Sequence, residues 1–466
     1  MMKLGAFLLC VFALAVAGAG PAHADSAPVG GDIQVAQTLG ERELTVIIRR
    51  ADPIPGPLRV DVITHTGSPP GTLELRSVVE GTVISQTSVI LGAESGFYGG
   101  TLRVDRAGPW ELDVDDGAEV ATIPFVLPAK IATPWEKATY GGFIAAGFFL
   151  LVALVLAVRS RRTGLTLIPA GGMVAAIAVA VTAALLSASA PPPPAPGSVL
   201  DPTIDNVNNP YPNTQTSTMD LSRPPVNLFA QADNASSGQE GELKLRFTDG
   251  STGRAVDDLL VHDNAFVHLL VVSPSGKLWH LHPIRVAPGD YRANITPPEP
   301  GTYAISAELS RRGGGVQLVR SSVQIASGSA NDPTPEPAGL GARVVGGNSV
   351  ELTADVAPTG SPTTITAHFD TADLQPWLGM LGHMIVIGPL DNPAAPVWAH
   401  VHSLAPAAPG MPAKPDETVA AFGPDVPFTY SFPLPGRYRV WIQAERDFSV
   451  VTIPTVIDIP AAGGPR

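Results

Sequence analysis

The chain has 466 residues, enough for two to four domains; only 15% of its side chains are charged, and its 48 prolines and 47 glycines suit β-rich modules joined by stiff linkers. A net charge of −13 leaves no basic surface to displace counterions from phosphates, which argues against nucleic acid as a partner. The one cysteine, Cys10, lies in a segment expected to be removed; disulfides, thiolate metal sites, a thiol nucleophile and covalent haem attachment drop out, and any metal chemistry rests on His, Met and carboxylates.

The chain opens with MMK, then LGAFLLCVFALAVAGAG, then PAHA. A basic start, an apolar stretch and a small-x-small ending predict a secretory signal peptide over 1–24, cleaved after Ala24. Residues 25–130 follow, where runs such as ELTVIIRR, LRVDVITHT and TLELRSVV separate Gly, Pro and Asp turns and predict a first β-sandwich. Two apolar runs, 140–158 and 167–186, each supply the ~20 residues that cross hydrocarbon, and predict a transmembrane helical hairpin over 139–187. Between them RSRRTG carries Arg159, Arg161 and Arg162 and no acid, which places that loop in the cytoplasm. This agrees with an exported first module. Neither run holds a Lys, Arg, Asp, Glu or His, so the hairpin reads as an anchor in the lipid of the cytoplasmic membrane, with the large modules on its outer side.

Residues 190–222 are rich in Pro and Asn and read as an extended spacer. A second module is expected over 224–327, a Pro-rich link over 328–341, and a third module over 342–461. Modules two and three read as repeats: HLLVVSP matches HMIVIGP, WHLHP matches WAHVHS, and PGDYRANITPPEPGTYAISAEL matches PFTYSFPLPGRYRVWIQAE. The first module shares the closing part alone, as GFYGGTLRVDRAGPWELDV, and carries the lone His65. The expected fold class is all-β: three immunoglobulin-like sandwiches plus the transmembrane hairpin.

Two copies of one pattern within the repeats gather six of the ten histidines. Within 266–283, two apolar runs flank Pro274, Ser275 and Gly276, the signature of a β-hairpin. With those residues as the turn, His268 sits opposite His282 and His280 lies on the neighbouring diagonal, sharing a face with His282. Three imidazoles so placed can converge on one metal ion about 2 Å from each nitrogen. In the third module, pairing His383 with His402 keeps the arrangement and brings His400 along. The expected metal ligands are therefore His268, His280 and His282 in one hairpin and His383, His400 and His402 in the other. A solvated strand face, or a set of hydrogen-bonding core histidines, is the alternative reading of the same pattern.

Other residues are weaker candidates. Thioethers at Met380 and Met384 would favour Cu(I), but on a strand Met384 points away from His383 and toward the core. Trp279 and Trp398 are expected to pack over their strands. Glu308 and Gln443 each follow the motif tyrosines Tyr303 and Tyr438 by five residues and reach the same sheet end. Asp258 and Asp373 could orient an imidazole or serve in turns. His262 and His368 have no counterparts and read as local structural residues. No Ser-His-Asp order, phosphate loop, HExxH or paired-carboxylate motif stands out, and no enzyme is expected.

The stretches HLLVVSPSGKLWHLHPIRVAPGDYRANITPPEPGTYAISAEL and GHMIVIGPL, with WAHVHS and FPLPGRYRVWIQAE, resemble exported bacterial YtkA-like and FixH-like β-sandwich domains and, more loosely, copper-resistance CopC-like proteins. The resemblance covers modules two and three. It implies an immunoglobulin-like fold outside the cytoplasm and a connection to copper handling; the amino-terminal histidine of a CopC-type carrier is missing from the mature chain, which would start near Asp25. Together these readings predict a membrane-anchored metal carrier, buffer or delivery protein that takes copper first and zinc second, with affinity falling below about pH 6.5 as the imidazoles protonate. The alternatives are an interaction module for another envelope protein and an accessory subunit of a membrane complex.

Overall fold

In a computed structural model of the protein, the described residues are 32–463 except 50, 52, 128–133, 161–163, 189–222, 234, 329–333, 335, 392–396 and 405–418. The expected signal peptide, the Pro- and Asn-rich spacer and Arg161 and Arg162 lie outside them. The chain divides into two compact units, a helical one and a β one.

The helical unit contains α1 (Pro134–Arg159) and α2 (Gly164–Ala188), each long and apolar enough to cross a membrane. They extend past the expected spans at both ends. Small residues let them meet: a Cβ on Gly142 would lie 2.8 Å from the Ala180 Cβ and 2.9 Å from the Ala176 carbonyl oxygen, so only glycine permits this approach.

The β unit holds three immunoglobulin-like sandwiches, six sheets among the described residues. In the first, the strands are β1 (Ile33–Leu39), β2 (Arg42–Ile48), β3 (Gly56–Thr64), β4 (Gly71–Val79), β5 (Thr82–Leu91), β6 (Gly96–Val104), β7 (Gly108–Asp115) and β8 (Val120–Leu127); they form sheets ordered β1-β2-β3-β6 and β5-β4-β7-β8. The second module has β9 (Val226–Asp233), β10 (Gly241–Asp249), β11 (Leu259–Leu260), β12 (Val267–Val272), β13 (Leu278–Leu281), β14 (Ile284–Ala287), β15 (Asp290–Ile295), β16 (Gly301–Arg311) and β17 (Gly315–Ile325). Its sheets are β14-β15-β10-β9 and β11-β16-β12-β13, with β17 on the free side of β16. The third has β18 (Gly341–Val345), β19 (Asn348–Asp355), β20 (Pro362–Phe369), β21 (Gly382–Gly388), β22 (Val397–Ser403), β23 (Asp425–Ser431), β24 (Gly436–Arg446) and β25 (Ser449–Ile459), in sheets β18-β19-β20-β23 and β22-β21-β24-β25.

Alternation explains most of these strands. In β10, Leu243, Leu245 and Phe247 face the core while Lys244 and Arg246 face out. One corner recurs in all three modules. The Tyr303 hydroxyl donates to the Glu299 carbonyl (2.8 Å), Tyr438 to that of Leu434 (2.8 Å), and in the first module the Trp110 indole N–H donates to Arg106 (3.0 Å). Each aromatic follows a left-handed glycine by two residues (Gly301, Gly436, Gly108), so the shared closing motif is one piece of tertiary structure used three times.

Two of the strands that break the alternation, β12 and β21, position the site. All six residues of β12 are buried. Val267, Leu269 and Val271 fill the module's own core, while Leu270 and Val272 pack against Ile385 and Trp441 of the third module. β21 does the same: Met384 and Val386 face inward, and Ile385 faces module two. Modules two and three therefore dock sheet face to sheet face, and each module's outer hairpin face becomes an interior.

Candidate metal centre

On that docked interface the apolar cluster of Leu270, Val272, Ile385 and Trp441 occupies one end and the histidines the other. The β12–β13 ladder pairs Leu269 with Leu281 and Leu270 with His280, which sets His268 across from His282; β21 and β22 pair His383 with His402 directly. Within each trio one nitrogen per ring lies within 4.8 Å of the others. The hairpin geometry read from the sequence holds in both modules.

The face-to-face docking adds what the repeats alone do not reveal: the two trios form one cluster. His280 and His400 have ring centroids 4.9 Å apart, His268 and His400 5.2 Å, and His280 and His383 5.6 Å. Rings within a trio are separated by the same amount, 5.1 Å for His280 and His282 and 4.5 Å for His400 and His402.

Outer oxygens fix how the rings are turned. The His280 Nδ1–H donates to Gln443 Oε1 (2.8 Å), whose amide is oriented by its own donation to Thr452 (2.9 Å). His282 Nδ1–H donates to Glu43 Oε1 (2.5 Å), and Thr38 ties this pair together by accepting the His282 backbone N–H and donating to Glu43 Oε2 (2.7 Å). His268 donates from Nε2 to the His262 carbonyl (3.0 Å). On the other side His400 Nδ1 lies 3.5 Å from Glu308, and His402 Nδ1 lies 3.5 Å from Asp263. Five of the six rings thus show one nitrogen to an oxygen and keep the other for the cluster. This is how protein carboxylates and carbonyls set the tautomer of metal-ligating histidines.

The nitrogens turned to the cluster have nothing to bond. With His268 Nε2 and His280 Nδ1 serving as donors, their remaining nitrogens are bare lone pairs, and these confront one another at 3.4 Å. His282 Nε2, His400 Nε2, His402 Nε2 and both nitrogens of His383 are buried without a hydrogen-bond partner among the described residues, and His400 Nδ1 has the longer Glu308 contact in place of a hydrogen bond. Burial first, and the neighbouring imidazoles second, hold His268, His280 and His383 well below the usual histidine range and push His402 down to about 4. These four rings are neutral at neutral pH, the state in which imidazole binds metal.

The two modules are related by a pseudo-two-fold, and residues at matching places do matching work. Glu308 pairs across the sheet with His268, and Gln443 with His383; each supplies its oxygen to the other module's hairpin. Six residues before each leading histidine stands the start of a two-residue turn. In one turn Asp263 and Asn264 have positive φ between His262 and Ala265; in the other Leu378 and Gly379 do so between Trp377 and Met380. His262 therefore does have a counterpart, which is Trp377. Sequence comparison by residue type hides it.

Trp377 is the aromatic that covers the site, with ring centroids 4.9 Å from His383, 5.1 Å from His280 and 5.9 Å from His282. Trp279 instead packs on Tyr303, and Trp398 joins the apolar end. At the opposite rim His262, Asp263 and Glu308 form a second ligand-bearing group that keeps some exposure. Its His262 and His400 contacts hold the Glu308 carboxylate below its ordinary range, although burial acts the other way.

Several weaker candidates go elsewhere. Asp258 pairs with Arg311 (3.0 Å) and Asp373 with Arg446 (2.8 Å), equivalent ion pairs that touch no imidazole. His368 meets Asp425 on an exposed strand. Met384 is buried in the module-three core and Met380 in its turn, so the cluster's inner donors are imidazole nitrogens. His65 joins modules one and three through Glu445 (2.6 Å).

Residues 342–461 match a protein family described as a domain of unknown function, DUF8832. No curated protein matches the chain. Among solved structures, it is similar to the tetra-tandem repeat in the extending region of a large adhesion protein, at 11% identity and a TM-score of 0.17 over 92% of this chain and 83% of that one. The fibronectin(III)-like modules of CbhA from Clostridium thermocellum align at 12% identity and a TM-score of 0.15 over 52% of this chain and 99% of theirs. The trypsin-activated alpha-2-macroglobulin of Escherichia coli aligns at 9% identity and a TM-score of 0.17 over 93% of this chain and 25% of that one.

Proposed function

We propose that the protein binds transition-metal ions, copper before zinc, at the paired histidine trios, and serves as a membrane-anchored carrier or buffer outside the cytoplasm. One observation carries the reading: in a buried cluster of imidazoles the bare nitrogens of His268 and His280 confront one another while their other nitrogens are held by oxygens, and the nitrogens that His282, His383, His400 and His402 bury there have no hydrogen-bond partner among the described residues. Buried polar groups without partners destabilise a fold, and a cation at their centre converts that cost into coordination. An all-imidazole donor set suits Cu(II), Zn(II) and Ni(II), and copper heads the affinity order. The resemblance of modules two and three to exported copper-linked sandwich domains fits this reading. The expected signal peptide, the two apolar helices and the arginine loop support the proposed sidedness.

The test uses the full chain in detergent, stripped of metal and titrated calorimetrically with Cu(II) and then Zn(II). Saturable binding is expected, and it is lost when His280, His282, His400 and His402 are replaced by Ala. Unchanged stoichiometry in that variant would end the reading, and the interaction-module alternative would take its place.

A further inference from the structure

We infer that the two trios form a single dinuclear centre, in which two divalent ions share one enclosure and a small anion bridges them. The inference rests on the metal-binding reading above and deepens it. Two separate hairpin sites would not need their rings in contact. Here His280 and His400, from different modules, are as close as rings of one trio, and His268 also meets His400 across the interface at 5.2 Å. The pseudo-two-fold runs through this contact, since Gln443 orients His280 and Glu308 faces His400.

Ligand count and charge point the same way. Each ion has three protein nitrogens, which leaves a fourth position for an exogenous ligand. Three carboxylates touch the outer nitrogens of the rings: Glu43 on His282, Glu308 on His400 and Asp263 on His402. They offset all but one of the positive charges that two divalent ions bring. One hydroxide between the ions supplies the last negative charge and fills both open positions. Paired ions bridged in this way are an established arrangement in two-metal sites. Trp377, packed on His280, His282 and His383, closes one side, and the partly exposed rim at His262 and Asp263 leaves the other for ion and anion access.

The experiment loads the metal-free full chain with Cu(II), removes excess copper by desalting, and measures copper by elemental analysis and spin by double-integrated electron paramagnetic resonance. Two copper ions per chain are expected, with a spin count that is a small fraction of the bound copper because the bridge couples the two spins. Acid denaturation should restore the full Cu(II) signal. Azide should replace the hydroxide and add a charge-transfer band. Replacing His383 and His402 by Ala should leave one copper per chain with its whole spin visible. One copper per wild-type chain would overturn the inference, as would two coppers with full uncoupled spin. A silent signal that acid does not restore would also overturn it, because the copper would then be Cu(I). All three results leave metal binding itself standing; absence of bound copper removes both.

Discussion

At the scale of single residues, the site depends on oxygens as much as on imidazoles. Glu43 comes from the first module, yet it fixes the tautomer of a histidine in the second. Replacing Glu43 by Ala frees that ring to turn and is expected to weaken metal affinity about 10- to 100-fold in a competition titration against a chelator. Asp373→Asn, which disturbs contacts with Arg446 and Thr371 and touches no imidazole, should leave affinity unchanged. Equal loss in both variants would show that the carboxylate acts through general stability. The four rings that burial holds low also predict a pH dependence for the metal-free fold. His402 takes up a proton near 6.5 when unfolded but only at about 4 when folded, and the depressed His268, His280 and His383 act in the same sense. Between those values the unfolded chain binds more protons, so stability is greatest above about pH 6.5 and declines as pH falls toward 4. Denaturant melts across that window should show the decline in wild type and a shallower one in His402→Ala.

At the scale of elements, the sequence carried more than alternation reveals. The hairpins, their registers and the pairing of His383 with His402 were all legible, because period-two patterning and a short turn leave few alternatives. The fusion of the two trios into one cluster was not anticipated, although the pattern contains its signal. VHLLVV and HMIVI lack the polar alternation of a solvent-facing sandwich strand, and a short strand apolar on both faces is buried on both. Trp377 and Glu43 were missed for another reason: one occupies a turn where its counterpart is a histidine, and the other lies in a module with a lone histidine. No local pattern reports a contact made by docking. The same docking face predicts a mutational signature. Leu270→Ala removes a buried side chain that meets Ile385 and Trp441, and should cost about 2–5 kcal/mol by urea denaturation. It should also lower copper affinity by loosening one trio against the other. Leu243→Ala, inside the module-two core, should cost a similar amount while affecting copper far less. Identical copper affinities in the two variants would contradict a site built by docking.

At the scale of the β unit, the first module is a clamp. Its strand β1 bonds to the second module through Ala36 N–H to the Asn264 carbonyl and Thr38 N–H to the His282 carbonyl, both 2.7 Å. The loop after β3 reaches the third module through the Thr66 N–H, which donates to the Phe448 carbonyl (2.7 Å), and through His65 with Glu445. Because Thr38 holds both the backbone N–H and the carbonyl of His282, the position of a proposed ligand and the docking of module one are the same variable. An ion that binds only the docked arrangement must stabilise it, by about 2.7 kcal/mol when free metal is a hundredfold above its dissociation constant. The Ala36 and Thr38 amides are therefore expected to exchange hydrogen with solvent more slowly once metal is bound, by up to about 100-fold, the factor that free energy represents. Amides at the centre of β7, such as that of Leu112 opposite Ile123, lie away from the clamp and open by other routes, so their exchange should change far less. Hydrogen–deuterium exchange read by mass spectrometry, with and without Cu(II), separates the two outcomes. Metal that binds at full stoichiometry while leaving the β1 amides at their metal-free rates would mean that the trios assemble without the clamp.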